Sequence, residues 1–282
     1  MMPEQPEYLS FQADLNDPDV VSAYDELPLW SALAGSLLLK HVPLQRHLQV
    51  LDVGCGTGFP ALELAQRLGS TCTVYGIDPW EAALQRAQLK MRLWNVSNVR
   101  LSLQSAEAMS FPDGQFDLII SNLGINNFSH PEAALRECWR VAKPTAKLAL
   151  TTNLQGHMVE FYEVYATTLQ ELDLSQAVAA LDAHIHHRAT VEGLRQLLEL
   201  TGFAIIKVQE ETATMRFADG SALLNHYFIK LAFLDSWKGI LNPAEQAAVL
   251  TRLETNLNLY AEWHGELALT IPLAYVEAEK VG

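Results

Sequence analysis

The chain has 282 residues, 49% of them hydrophobic, and carries 19 Lys and Arg against 33 Asp and Glu, for a formal net charge of −14. That apolar fraction suits a packed globular protein, whereas the acidic balance opposes a phosphate backbone and argues against nucleic acid as the substrate. Cys55, Cys72 and Cys138 show neither metal-ligand spacing nor a paired framework, the acidic start lacks a signal region, and no apolar run is long enough for a membrane span, so a cytoplasmic protein is expected.

Residues 20–42 ("VVSAYDELPLWSALAGSLLLKHV") are amphipathic and rich in Leu and aromatics, which predicts N-terminal helices within a cap over 1–45. From residue 48, short apolar runs alternate with helical ones. Strands are predicted over 48–53, 72–78, 99–104, 116–122 and 145–152, and helices over 60–69, closed by Gly69, over 81–94, and over 131–142, opened by Pro131. This alternation predicts right-handed βαβ crossovers and an α/β, Rossmann-like, doubly wound and mostly parallel sheet, with the ligand crevice at the strands' C-terminal ends. After 152 the rhythm changes to helices within 157–172 and 190–203, a long strand over 204–217 and a last strand over 267–280. The intervening 218–265 is largely helical and, at about fifty residues, too long for a hairpin loop. The expected division is therefore the cap, a core of 46–217 and 266–282, and an inserted substructure over 218–265.

"VLDVGCGTGFP" (50–60) sets Gly54, Gly56 and Gly58 behind Asp52. A dinucleotide fingerprint needs a small residue at position 59, which is Phe, and a P-loop needs Gly-Lys followed by Ser or Thr, which is absent. A carboxylate at the lip of the loop repels pyrophosphate and favours an ammonium or sulfonium. Asp78 closes the second strand, where a carboxylate accepts two hydrogen bonds from the vicinal hydroxyls of a ribose.

Several ordered motifs over about residues 20–152 then resemble one family. "VLDVGCGTG", "GIDPW", "SAEAMSFPDGQFDLIISN" and "ECWRVAKPTAKLALT" are similar to successive motifs of the class I S-adenosylmethionine-dependent methyltransferases, small-molecule branch, including the quinone-biosynthesis type. The resemblance implies a seven-stranded sheet with an antiparallel last strand and S-adenosyl-L-methionine as cofactor. It places Gly54, Cys55, Gly56 and Gly58 against the methionine part, Asp52 at its ammonium, Asp78 at the ribose, Pro79 and Trp80 beside adenine, and Ser105, Ala106 and Glu107 at the adenine edge. Ser105 stands where the family often has an acid. Thr145 and Ala146 replace the family's glycine pair.

Methyl transfer from a sulfonium requires an acceptor held in line and water excluded, but no obligatory nucleophile or metal. Asn122 and Leu123, ending strand four, are expected at the cofactor, with Asn126 and Asn127 aimed at substrate or satisfying their own turn. His157, after strand five, and Tyr24 are the candidate catalytic groups. Trp30, His226 and Tyr227 join Tyr24, Asn126 and His157 as acceptor-binding candidates. His184, His186 and His187 lack a carboxylate or cysteine to complete a metal set and read as a solvated face. The aromatics of 218–265 suit a substrate lid or a homodimer contact. The expected activity is methyl transfer to a small, partly apolar organic acceptor. The alternatives are an S-adenosylmethionine-binding regulatory protein without turnover, or a protein or RNA methyltransferase, which the charge disfavours.

Overall fold

The structure, a computed structural model, describes residues 6–27 and 29–281. The first five residues of the expected cap, with Pro28 and Gly282, lie outside the described residues.

Among the described residues seven strands form one sheet: β1 (Gln49–Val53), β2 (Thr73–Asp78), β3 (Val99–Leu103), β4 (Phe116–Asn122), β5 (Ala142–Asn153), β6 (Phe203–Phe217) and β7 (Leu267–Lys280). Their order is β3-β2-β1-β4-β5-β7-β6. Strands β1 to β5 pair in parallel, with Asp52 opposite Gly76 on one side and Ile120 on the other. β7 runs antiparallel to β5, with Asn153 opposite Leu273. The order reverses between β1 and β4, so helices leave on opposite faces and the strands' carboxyl ends open a crevice there. The central strands β1 and β4 are mostly buried, as in "VLDV" and "LIIS", because crossover helices cover both faces, whereas β3 and β6 are largely exposed or half-buried.

Each predicted strand is present, β4 and β7 with the expected ends and the others with ends shifted by one to three residues. β5 begins at Ala142, ahead of the expected 145, and its pairing with β4 changes register between Phe116 and Leu118. A helix absent from the sequence reading, Ser175–His186, follows the one at Val159–Glu171. Its Ala-rich "SQAVAALDAHIH" buries only Ala177 and Leu181, too narrow an apolar stripe to announce itself.

The chain forms two compact units. One comprises Leu15–Leu154, Ala189–Glu211 and Leu273–Gly282; the other comprises the described part of Met1–Asp14, Gln155–Arg188 and Thr212–Pro272. The inserted helices thus group with Gln155–Arg188. In the sheet unit Leu51, Ile119, Leu148, Leu150 and Val276 pack with Leu135, Cys138, Leu194 and Leu198 from the helices. In the second unit Trp237 is fully buried and stacks on Phe161, with ring centroids 4.1 Å apart.

Candidate cofactor and acceptor site

The turn after β1 is built by backbone contacts. Gly54 and Cys55 both donate to the Ile77 carbonyl, at 2.9 and 3.0 Å, which ties the turn to the end of β2. Gly58 sits at φ 99°, and a Cβ there would meet Leu62 at 3.0 Å and Ala87 at 3.1 Å, so a side chain is excluded by conformation and by space. The turn delivers the chain into the helix Ala61–Leu68, whose Leu62 amide donates to the Gly58 carbonyl at 2.9 Å.

Two carboxylates face this turn. Asp78 accepts from the Gly56 amide through Oδ2 and from the Trp80 amide through Oδ1, both at 2.8 Å. Burial raises its carboxyl above the usual range, and the two amides pull the other way. Asp52 is fully buried, and neither of its oxygens has a hydrogen-bond partner of ordinary geometry among the described residues. Burial first, then the charge of Asp78, pushes its carboxyl up to about 8, with the Ala61 amide opposing. Leaving a buried carboxylate unpaired is costly, and a cation is the partner that relieves the cost. The Cys55 thiol, buried in the same turn, is held well above its ordinary range by burial and the two aspartates, so it stays protonated and inert.

The next layer comes from the N-terminal helices. The Trp80 indole donates to the Leu15 carbonyl at 2.8 Å and meets the Tyr24 ring edge-on at 5.5 Å, while Pro79 is exposed. Burial, Asp78 and Asp25 hold the Tyr24 hydroxyl above its usual range. Asp25 in turn pairs with Arg86 at 2.8 Å and Lys90 at 2.6 Å, which fixes the helix Pro18–Asp25 to the helix Glu81–Leu93. Trp30 caps the helix Ser31–His41, whose Gly35 has no room for a Cβ beside the Phe59 ring. Ser105 hydrogen-bonds Glu107, Ala106 is buried between them, and Glu107 also accepts from the His130 amide at 3.3 Å. Burial alone raises the Glu107 carboxyl, but these hydrogen bonds outweigh it and hold the group below its usual range.

At the carboxyl ends of β4 and β5 the asparagines are engaged. Asn122 donates to the Ser31 carbonyl at 3.0 Å and accepts from Thr151 at 2.8 Å. Leu123 adopts φ 61°, and its amide donates to Thr151 Oγ1 at 3.2 Å. Asn126 accepts from Thr152 at 2.5 Å and donates to Asn153 Oδ1 at 3.1 Å, so it joins β5 rather than its own turn; Asn127 is exposed. Thr152 and Asn153 carried no sequence signal, because they end an unremarkable apolar strand.

His157, His226 and Tyr227 belong to the second unit. His157 is buried beside Phe233, and burial, then Arg188 and His184, pushes its imidazole down to about 2. So strongly depressed a group is a poor general base near neutrality, which counts against the catalytic expectation for it. His226 packs on Phe217 and is lowered by burial and Lys230, and Tyr227 meets Phe11 edge-on. His184 faces the Tyr162 hydroxyl at 3.1 Å, and that hydroxyl also accepts from the Trp237 indole at 3.3 Å. A cavity of about 210 Å³ lined by Pro43, Asp117, Lys143 and Lys147 lies at the amino ends of β1, β4 and β5, the opposite end of the strands from the glycine turn.

Comparison with known proteins agrees with this geometry. A family model described as a methyltransferase domain matches residues 44–216. The demethylmenaquinone methyltransferase of Geobacillus sp. is 31% identical over 127 residues, which are 45% of this chain and 54% of that protein. The 2-phytyl-1,4-naphthoquinone methyltransferase of Trichormus variabilis is 34% identical over 140 residues, 46% of this chain and 60% of that one. The chain thus spans little more than half the length of these relatives. The crystal structure of the YcgJ protein from Bacillus subtilis superposes with a TM-score of 0.58 at 19% identity, covering 89% of this chain and 99% of that one, and so shares the fold.

Proposed function

The chain belongs to the methyltransferase-domain family, of the class that uses S-adenosylmethionine, and on that premise we propose that it transfers a methyl group to a small, partly apolar organic acceptor of the quinone type. The observation that carries the reading is Asp52: a buried carboxyl whose oxygens have no hydrogen-bond partner of ordinary geometry among the described residues, beside a turn whose Gly54, Gly56 and Gly58 all take positive φ, fits a ligand with an ammonium and a sulfonium and disfavours a pyrophosphate. In this assignment Asp52 serves the methionine ammonium, the backbone of 54–58 the methionine chain, and Asp78 the ribose hydroxyls. Trp80, Ser105, Ala106 and Glu107 flank the adenine, with Asn122 and Leu123 closing the inner side. When bound, the cofactor supplies an electrophilic methyl group, and the protein's task is to align the acceptor and exclude water.

The quinone class is taken from the two named relatives and, because the chain covers only part of their length, belongs to this proposal. A ring acceptor becomes nucleophilic on losing a hydroxyl proton, so it does not require His157 or Tyr24 as a strong base. The aromatics of 218–265, with His226 and Tyr227, are assigned to acceptor selection. The three buried, unpaired cysteines support a reducing cytoplasm, and among the described residues no helix is long and apolar enough to cross a membrane.

The test is transfer of isotopically labelled methyl from S-adenosylmethionine to reduced 1,4-naphthoquinones and to a metabolite extract. Label in a ring-containing small molecule is expected. Cofactor binding with no label in any small molecule would replace the enzyme reading with that of a regulatory binder.

A further inference from the structure

At the carboxyl end of β5, Asn153 is 1% exposed, and its Nδ2 has no hydrogen-bond partner among the described residues. The other arm of the same amide is fixed, because Oδ1 accepts from Asn126 Nδ2 at 3.1 Å and Asn126 Oδ1 accepts from Thr152 at 2.5 Å. In this arrangement the Asn153 amide turns Oδ1 toward Asn126 and Nδ2 away from it. The result is a buried NH2 donor held in place without an acceptor. Leaving such a donor unpaired is unfavourable, and a buried polar network with one open end is a place where a further group can be bound.

Its position narrows what that group is. Thr151, two residues earlier, pairs with Asn122 at the end of β4 and carries the Leu123 amide. β4 in turn neighbours β1, which leads into the glycine turn. Along the crevice the order is therefore the turn at β1, then Asn122, then Asn126 with Thr152 and Asn153. Cofactor contacts fall on the β1–β2 side and the donor on the β4–β5 side, where an acceptor would lie. Among the described residues no basic side chain joins the Asn126, Thr152 and Asn153 hydrogen bonds, so a phosphate or carboxylate is a poor match. A single neutral N–H donor in a buried site suits one carbonyl or hydroxyl oxygen on an otherwise apolar ring.

We propose that Asn153 is a specificity-determining residue that donates through Nδ2 to a ring oxygen of the acceptor, with Asn126 and Thr152 holding its amide in that orientation. The inference rests on the quinone-type reading above and adds the group that recognises the oxygen. A site whose donor is buried rejects an analogue lacking the oxygen, because the donor is then left unpaired. Asn153 thus separates quinones from hydrocarbons of the same shape.

The experiment measures binding of 1,4-naphthoquinone and of naphthalene to the full chain saturated with S-adenosylhomocysteine, for the native protein, Asn153→Ala and Asn153→Asp, with thermal melts to establish folding. Asp keeps the acceptor that Asn126 requires but replaces the NH2 donor by oxygen, so it serves if the Ala variant does not fold. Native protein should bind the quinone at least about tenfold more tightly than naphthalene. Either folded variant should lose that preference while keeping its affinity for naphthalene and for S-adenosylhomocysteine, a pattern that a merely structural role would not produce. An unchanged preference in a folded variant overturns the role of Asn153 and leaves the quinone reading standing. Native protein that binds S-adenosylhomocysteine but shows no preference for the quinone overturns both.

Discussion

The glycine turn and the aromatic cluster of the second unit handle buried polarity in opposite ways. Around Trp237 the polar atoms are paired within the protein: Tyr165 donates to the Trp237 carbonyl at 3.0 Å, the Trp237 indole donates to Tyr162, and Tyr162 meets His184. At the turn, among the described residues, the Asp52 oxygens have no hydrogen-bond partner of ordinary geometry and Asp78 accepts from two backbone amides, with capacity to accept more. The first arrangement is complete as it stands and serves stability. The second is built at a cost to stability, as expected where a ligand supplies the missing partner.

The largest effect that would sharpen this contrast is expected at Trp237. Replacing it by Ala removes the ring stacked on Phe161 and Phe233 and should destabilise the second unit by about 3–5 kcal/mol. Chemical denaturation followed by a near-ultraviolet aromatic signal measures the loss. Under native conditions, calorimetry should find S-adenosylmethionine affinity in the sheet unit nearly unchanged, and a large drop in affinity would erase the distinction between the two regions.

Asp78→Ala should do the reverse. Losing charge-assisted hydrogen bonds to the ribose should weaken cofactor binding by about 1–3 kcal/mol. The melting temperature should fall only modestly, since the loss of an acceptor for the Gly56 and Trp80 amides is partly offset by removal of a carboxyl that burial disfavours. Equal affinity in the folded variant would remove Asp78 from the site.

Asp25→Asn acts only locally and should cost about 1–3 kcal/mol of stability, because it leaves the largely buried Arg86 and Lys90 without their charged partner. Its use is diagnostic: the helix Pro18–Asp25 should loosen and Tyr24 should quench Trp80 less, which steady-state fluorescence reads as the part of the emission that Trp80→Phe removes.

How much of this was legible in the sequence follows the same division. The turn was readable because its determinants are local: Asp52, the glycines and Asp78 lie at the ends of two neighbouring strands, and each residue type is demanded by backbone geometry or by charge. The sheet was readable from alternation, and the parallel pairing follows from its crossovers. Asn153 was not readable, since its significance lies in Asn126, which is 27 residues away in sequence and one strand away in the sheet. Nor was the aromatic cluster, which joins Phe161 and Tyr162 to Trp237 across more than seventy residues. His157 shows the converse: its place after β5 suggested the crevice, but burial, then the charges of Arg188 and His184, lower its basicity. Position along a strand is a sequence property, whereas desolvation belongs to the packed molecule.

The most direct test concerns Asp52. Its carboxyl is raised from 3.8 to about 8, so the folded protein holds a proton that the unfolded chain releases, and Asp52 makes stability fall as pH rises between those values. A bound ammonium favours the charged carboxylate, so cofactor binding below about pH 8 should expel that proton, and affinity should increase as pH rises toward 8. Calorimetry of S-adenosylmethionine binding at pH 7, in two buffers of different ionisation enthalpy, counts the protons released. The account predicts net proton release by the native protein and none from Asp52 in Asp52→Asn, which should bind more weakly. Binding of equal strength by both proteins, with the same proton count, would contradict it.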